Sequence, residues 1–272
     1  MEAERLETPL YVACLNGDIE TVKTLLNDNR VDINQAASDH GETPFYIACE
    51  RGHIDIVKLL LNDKRVVTNK PNCDAETPFY IACERGRIEI MKLLLNDERV
   101  DINKPNKNDW TPFHSACHYG YIEVVKLLLN DQRVDINKAA SDGWTPFHSA
   151  CYNGPIEVVK LLLNDKRIDI NQANKFSETP FSRACDYGKT EVVKCMFESG
   201  REIDINKKDK HGWTGLDYAK QNRNPDIVEL IESFQKRKEN KGKFKGIFIL
   251  TFFKKNNSNY FKIIKIIMKK KH

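Results

Sequence analysis

The sequence predicts an all-α solenoid, built from seven helix-turn-helix units stacked side by side in chain order. Three observations predict it. Thr-Pro recurs at Thr8-Pro9, Thr43-Pro44, Thr77-Pro78, Thr111-Pro112, Thr145-Pro146 and Thr179-Pro180, with Thr214-Gly215 as an imperfect seventh copy, at intervals of 34 or 35 residues. Ala13, Ala48, Ala82, Ala116, Ala150, Ala184 and Ala219 follow their Thr by five, and Gly17, Gly52, Gly86, Gly120, Gly154 and Gly188 by nine. Self-similarity at such a period is the mark of a repeat architecture.

Each element of a unit has a physical reason, illustrated by residues 43–76. Thr43 is a good N-cap, and Pro44 suits the first helical turn, where its missing N–H costs nothing. A short helix from Phe45 to Glu50 ends near Gly52, which tolerates a left-handed turn. The second helix carries Ile54, Ile56, Val57, Leu59, Leu60 and Leu61, leaving mainly Asp55, Lys58 and Asn62 for water. That wide apolar surface suits a helix packed against its own partner and against both neighbouring repeats. The link that follows, with Pro71, Asn72 and Asp74, reads as an extended turn before the next Thr-Pro.

Residues 43–61 (Thr-Pro-Phe-Tyr-Ile-Ala-Cys, then Gly-His-Ile-Asp-Ile-Val-Lys-Leu-Leu-Leu) resemble the ankyrin repeat, written T-P-L-H-x-A-A-x-x-G-H-x-E-V-V-x-L-L-L. The resemblance covers roughly residues 6–238. It implies paired antiparallel helices with short β-hairpin fingers between them, a non-catalytic protein-protein interaction module (adaptor, scaffold or regulatory subunit), and a concave binding face made by the fingers and the first helices. Most units have 34 residues against the family's usual 33, so a longer second helix or a wider turn is expected after it. The first unit starts at its Thr-Pro, and the last replaces Pro with Gly215 and Gly with Arg223. Both read as polar caps, so residues 1–238 are expected to form one complete repeat domain.

Residues 236–272 carry thirteen Lys or Arg and one Glu, a net of +12, which leaves −8 for the rest. The repeats are therefore not drawn to phosphate backbones. Residues 239–272 form a second region, a basic tail rich in Lys, Ile and Phe that is expected to be disordered. Of residues 241–272, 25 of 32 are Phe, Lys, Ile, Asn or Tyr. Phe261 to Met268 followed by Lys269-Lys270-Lys271 fits an anionic membrane or unspecific nucleic acid. That gives an alternative function, a protein recruited by its tail; the competing reading is read-through of A/T-rich non-coding sequence. The N-terminus has no secretory signal pattern, and Gly246 to Phe253 is too short to span a bilayer. A monomer inside the cell, in the cytoplasm or the nucleus, is expected.

Six of the eight cysteines (Cys14, Cys49, Cys83, Cys117, Cys151, Cys185) recur once per repeat. Stacked helix axes lie about 8–10 Å apart, too far for a disulfide, which needs Cα atoms within roughly 7 Å. They read as small buried hydrophobes in a reducing compartment, as does Cys195; Cys73, in a finger, is the one expected to be exposed. His114, Cys117 and His118 have metal-compatible spacing. The resemblance, however, gives His114 and His148 a hydrogen bond across repeats, and no metal or other cofactor is expected. No phosphate loop, nucleophile elbow or zinc-protease motif occurs, so neither an enzyme nor a small-molecule substrate is indicated.

Contact residues should be those that vary between units. Just before each Thr stand Glu42, Glu76, Trp110, Trp144, Glu178 and Trp213. Just before each Gly stand Glu50-Arg51, Glu84-Arg85, His118-Tyr119, Tyr152-Asn153 and Asp186-Tyr187. Exposed Trp and Tyr are frequent interface anchors. The expected partner-binding centre is therefore Trp110, Tyr119, Trp144, Tyr152 and Tyr187, with His118 also in contact and Arg51 and Arg85 in a charged rim. The bland alternative is that Trp in these places merely covers the finger.

Overall fold

The computed structural model describes residues 7–256 apart from positions 38 and 154, with the backbone alone described over 241–256. Fourteen helices are found among the described residues: α1 (Pro9–Asn16), α2 (Ile19–Leu26), α3 (Pro44–Arg51), α4 (Ile54–Asn62), α5 (Pro78–Glu84), α6 (Ile88–Leu95), α7 (Pro112–Tyr119), α8 (Ile122–Asn130), α9 (Pro146–Asn153), α10 (Ile156–Asn164), α11 (Pro180–Asp186), α12 (Thr190–Glu198), α13 (Gly215–Gln221) and α14 (Pro225–Asn256). First helices pack on first helices and second on second, in chain order.

Local chemistry sets the starts and stops. The Thr side chain accepts a backbone N–H three residues on in every unit, from Thr8 and Tyr11 to Thr214 and Asp217. Gly120 ends α7 at φ 77°, and a Cβ there would lie 2.1 Å from Pro155 of the next repeat. Only glycine accepts both conditions. The imperfect last unit is also explained. A Cβ on Gly215 would meet the Phe181 ring at 2.7 Å, so the residue that replaces Pro lets that ring pack close. Arg223, in place of Gly, does adopt positive φ, 56°.

The core is a set of columns, each with one residue per repeat. Phe45, Phe79, Phe113, Phe147 and Phe181 are all but fully buried, as are the six cysteines and the alanines beside them. All eight cysteines are free; Cys195 is half-buried and Cys73 exposed. Burial pushes the Cys14 thiol up to about 12 and raises the other five column thiols in the same direction.

The extra residue per unit forms a wide turn after the second helix. Asp63 faces Arg65, whose Nη2 also donates to the Leu26 carbonyl of the preceding repeat at 2.7 Å. Arg99, Arg133 and Arg167 do the same to Leu61, Leu95 and Leu129, answering helix-terminal carbonyls that would otherwise lack a donor. Beside this runs an asparagine ladder. Asn34, Asn69, Asn103, Asn137 and Asn171 each donate from Nδ2 to a backbone carbonyl in the next repeat. Each also accepts, at Oδ1, a backbone N–H two residues beyond that carbonyl.

The fingers correct one detail of the expected fold. Among the described residues they are turns, not β-hairpin strands. Each from Asn72 onward closes with two backbone bonds at one tight turn, such as Asn72 N–H to Glu76 C=O and Ala75 N–H to Asn72 C=O, and meets its neighbour through one more, such as Lys107 N–H to Asp74 C=O. With no further backbone bond along the chain beyond the turn, no strand pair is extended.

At the C-terminal end the period fades near residue 238, yet α14 continues as helix to Asn256. Its Ile227 and Ile231 are fully buried, and Phe234 stacks on Phe197 at 4.1 Å. No described helix is long and apolar enough to cross a membrane. The stretch Phe261 to Lys271, on which the tail-recruitment reading rests, lies outside the described residues.

Candidate partner-binding face

The fingers and the ends of the first helices meet along one side of the stack. In repeats four and five a buried histidine fixes that junction. His114 Nδ1 accepts the Thr111 N–H at 3.0 Å, so its other nitrogen carries the proton and donates to the Trp144 carbonyl at 3.0 Å. His148 repeats this with Thr145 and the Glu178 carbonyl, at 3.1 and 3.2 Å. Burial lowers both imidazoles to about 4, which keeps this tautomer neutral. The bond across repeats implied by the ankyrin resemblance is thus present. Repeats two and three carry tyrosine here instead. Tyr46 OH donates to Glu76 at 3.2 Å, and Tyr80 OH accepts from Asn106 at 3.0 Å. The switch from Tyr to His accompanies a switch from Glu to Trp just before the Thr of the same repeat.

The variable positions of repeats four to six form one connected aromatic surface. Trp110 meets His118 edge-on at 5.4 Å, and His118 meets Tyr119 at 5.1 Å and Tyr152 at 6.4 Å. Trp144 meets Tyr152 at 5.5 Å, and Tyr152 meets Tyr187 at 4.5 Å. All six aromatic residues read from the sequence are joined ring to ring, with Tyr119 and Tyr187 nearly half exposed. Tyr121, not read from the sequence, extends the surface by stacking on Tyr119 at 6.3 Å. Its position opens a second helix, and no repeat-to-repeat comparison had singled it out.

The charged rim is organised differently from a row of independent cations. Arg85 reaches back one repeat to Glu50 at 3.0 Å, while Arg51 is exposed. Glu84 is held loosely, by Ser115 Oγ at 3.4 Å and Arg85 at 3.9 Å. Burial, then the neighbouring Glu76 carboxylate, raises its carboxyl above the usual range.

Arg183 is the residue that sequence reasoning missed. Its guanidinium bonds Glu178 at 3.1 Å and Asp186 at 2.9 Å, and lies over the rings of Trp144 and Tyr187 at 5.6 and 4.5 Å. A signal existed: its column reads Ile47, Ile81, Ser115, Ser149, Arg183. Among the described residues, His118 Nδ1, Ser149 Oγ and Arg183 Nε are buried without a hydrogen-bond partner. All three belong to these repeats. Native proteins leave few such atoms. No group of three or more His, Cys, Asp or Glu is placed to hold a metal among the described residues.

A family model described as ankyrin repeats (3 copies) matches residues 2–71, 64–140, 98–174 and 166–243. A search of curated proteins gives no match. Among solved structures, the ankyrin repeat domain of Bcl-3, described as a unique member of the IkappaB protein family, is similar with a TM-score of 0.72 and 23% identity, over 84% of this chain and 100% of that one. The human ASB11 ankyrin repeat domain is similar with a TM-score of 0.69 and 23% identity, over 82% and 98%. At that identity the two structures speak for the fold. With the repeat model spanning nearly all of the described residues, the chain belongs to the ankyrin repeat family.

Proposed function

We propose that this chain is a non-catalytic, monomeric protein-interaction module that holds a segment of a partner protein along the concave side of repeats three to six. One observation carries the reading. Trp110, His118, Tyr119, Trp144, Tyr152 and Tyr187 come from three repeats yet touch as a single surface, part of it in water. Rings held in place by their neighbours offer large contact area at little entropic cost on binding. Arg51, Arg85 and the glutamates around them form a selective rim. The unpaired thiols are in keeping with an intracellular, reducing setting.

The test replaces Trp110, Tyr119 and Tyr152 together by Ala and compares crosslinked partners of variant and parent by mass spectrometry. Loss of specifically crosslinked protein with an unchanged helical circular-dichroism signal supports the reading. Capture at the parental level by a folded variant removes it.

A further inference from the structure

The groove contains its own example of a held guanidinium, and groups of the same kinds meet at one other place on this face. Around Arg183 stand two carboxylates, Glu178 and Asp186, and two ring faces, Trp144 and Tyr187. This is the complement of a flat, delocalised cation. One column position recurs through the array, and its occupant decides what each repeat can do. Ile47 and Ile81 fill it with buried hydrocarbon, while Ser115 and Ser149 leave it short.

The boundary of repeats three and four gathers carboxylates and rings of the same kinds, beside Arg85, which is held mainly by Glu50. Tyr119 holds the place that Tyr187 holds in repeat six, and Trp110 and Tyr119 flank His118. The carboxylates of Glu84 and Glu76 lie within electrostatic reach of each other and of the Tyr119 hydroxyl. Glu84 has only the long contacts to Ser115 and Arg85. At the boundary of repeats four and five the places of Glu76 and Glu84 are taken by Trp110 and His118, so no carboxylate is offered there. Charge points the same way: the variable columns of repeats two to six carry Glu42, Glu50, Glu76, Glu84, Glu178 and Asp186 against Arg51, Arg85 and Arg183. Two of those three arginines are already committed to carboxylates of the groove.

We propose that the groove between repeats three and four takes an arginine side chain from an extended segment of the partner protein. Its guanidinium sits between the carboxylates of Glu76 and Glu84 and against the rings of Trp110 and Tyr119. The inference rests on the concave-face reading above and gives it a chemistry. Arginine is favoured over lysine because flat stacking and paired hydrogen bonds need the guanidinium plane.

The test pans a library of short random peptides displayed on phage against the full-length chain, then measures the enriched peptides by calorimetry. Enriched peptides should share an arginine. Changing that arginine to Ala in the peptide, or Glu84→Gln in the protein, should each weaken binding by about tenfold or more, and the two together by little further, because they remove one contact. Peptides without arginine, or losses that simply multiply, overturn the inference. If the peptides ignore Glu84→Gln yet are lost on Tyr152→Ala, the arginine site fails and the concave-face reading survives. If they ignore both, or if none is enriched, both readings fail. A synthetic peptide of residues 257–272, which has lysines and no arginine, serves as the competing occupant; binding as tight as that of the arginine peptides overturns the proposal.

Discussion

The carboxamide of Asn103 clasps the backbone beside Arg133 in the next repeat, donating to the Arg133 carbonyl at 2.7 Å and accepting the Asp135 N–H at 2.9 Å. One short side chain thereby replaces a peptide group in a bridge between repeats. Asn103→Ala should cost about 1–2 kcal/mol, roughly the net worth of two hydrogen bonds, and urea denaturation would measure it. Asn103→Asp should cost at least as much, since it removes the donor to Arg133. A loss within experimental error for both would show that the ladder is decorative.

Two glycines with similar backbones should respond differently to alanine. Gly120 has φ 77° and would place its Cβ against Pro155, whereas Gly200 has φ 70° with nothing within 4 Å. Gly200→Ala should cost about 1 kcal/mol for the left-handed conformation alone. Gly120→Ala adds a clash with the next repeat and should cost roughly 2–4 kcal/mol. Thermal melts of the two variants, run side by side, give the comparison.

The buried histidines make stability depend on pH in a defined window. An unfolded imidazole takes up its proton near 6.5, but His114 and His148 in the folded chain do so only near 4. Between those values the unfolded state binds more protons, so stability falls as the pH drops from about 6.5 towards 4 and is level above about 7. At pH 5 the loss is roughly 2 kcal/mol per histidine. His114→Tyr with His148→Tyr, which borrows the residue of repeats two and three, should flatten the difference between urea midpoints at pH 7 and pH 5. An unchanged difference would contradict the assignment.

Thiol reactivity should sort the eight cysteines by place. Cys73 should react with a disulfide reagent at once in the native protein, and the six column cysteines only as the chain unfolds. Half-buried Cys195, whose thiol burial raises, should fall between them. Mass mapping of labelled peptides over time would check the order; early labelling of Cys117 or Cys151 would mean that the columns open more easily than their packing indicates.

The fold was legible because solenoid packing is local: each helix pair contacts only its neighbours, so one period in the sequence is one period in space. Thr111, Gly120 and Phe113 could be read from a single unit. The aromatic residues of the face were found by looking for what varies, and the structure joins Trp110, His118, Tyr119, Trp144, Tyr152 and Tyr187 ring to ring. The column of Arg183 varies and so marks the position, but its pairing with Glu178, Asp186 and two rings is visible only in three dimensions. The asparagine ladder escaped for the opposite reason. Asn34, Asn69, Asn103, Asn137 and Asn171 keep the period so faithfully that they looked like mere loop composition. The shortness of the fingers was hidden too, since one bond more or less on each side leaves no trace in residue type.

Every bridge of that ladder spans 30 or 31 residues, from Asn34 and Arg65 to Asn171 and Glu202. A gene copying error that duplicates or drops one whole unit therefore joins a donor to an acceptor of the same kind, and the seam closes without new chemistry. An error of half a unit strands an amide on each side. The architecture is thus open to lengthening and shortening by recombination in whole steps, and the surface it displays can be shuffled one repeat at a time.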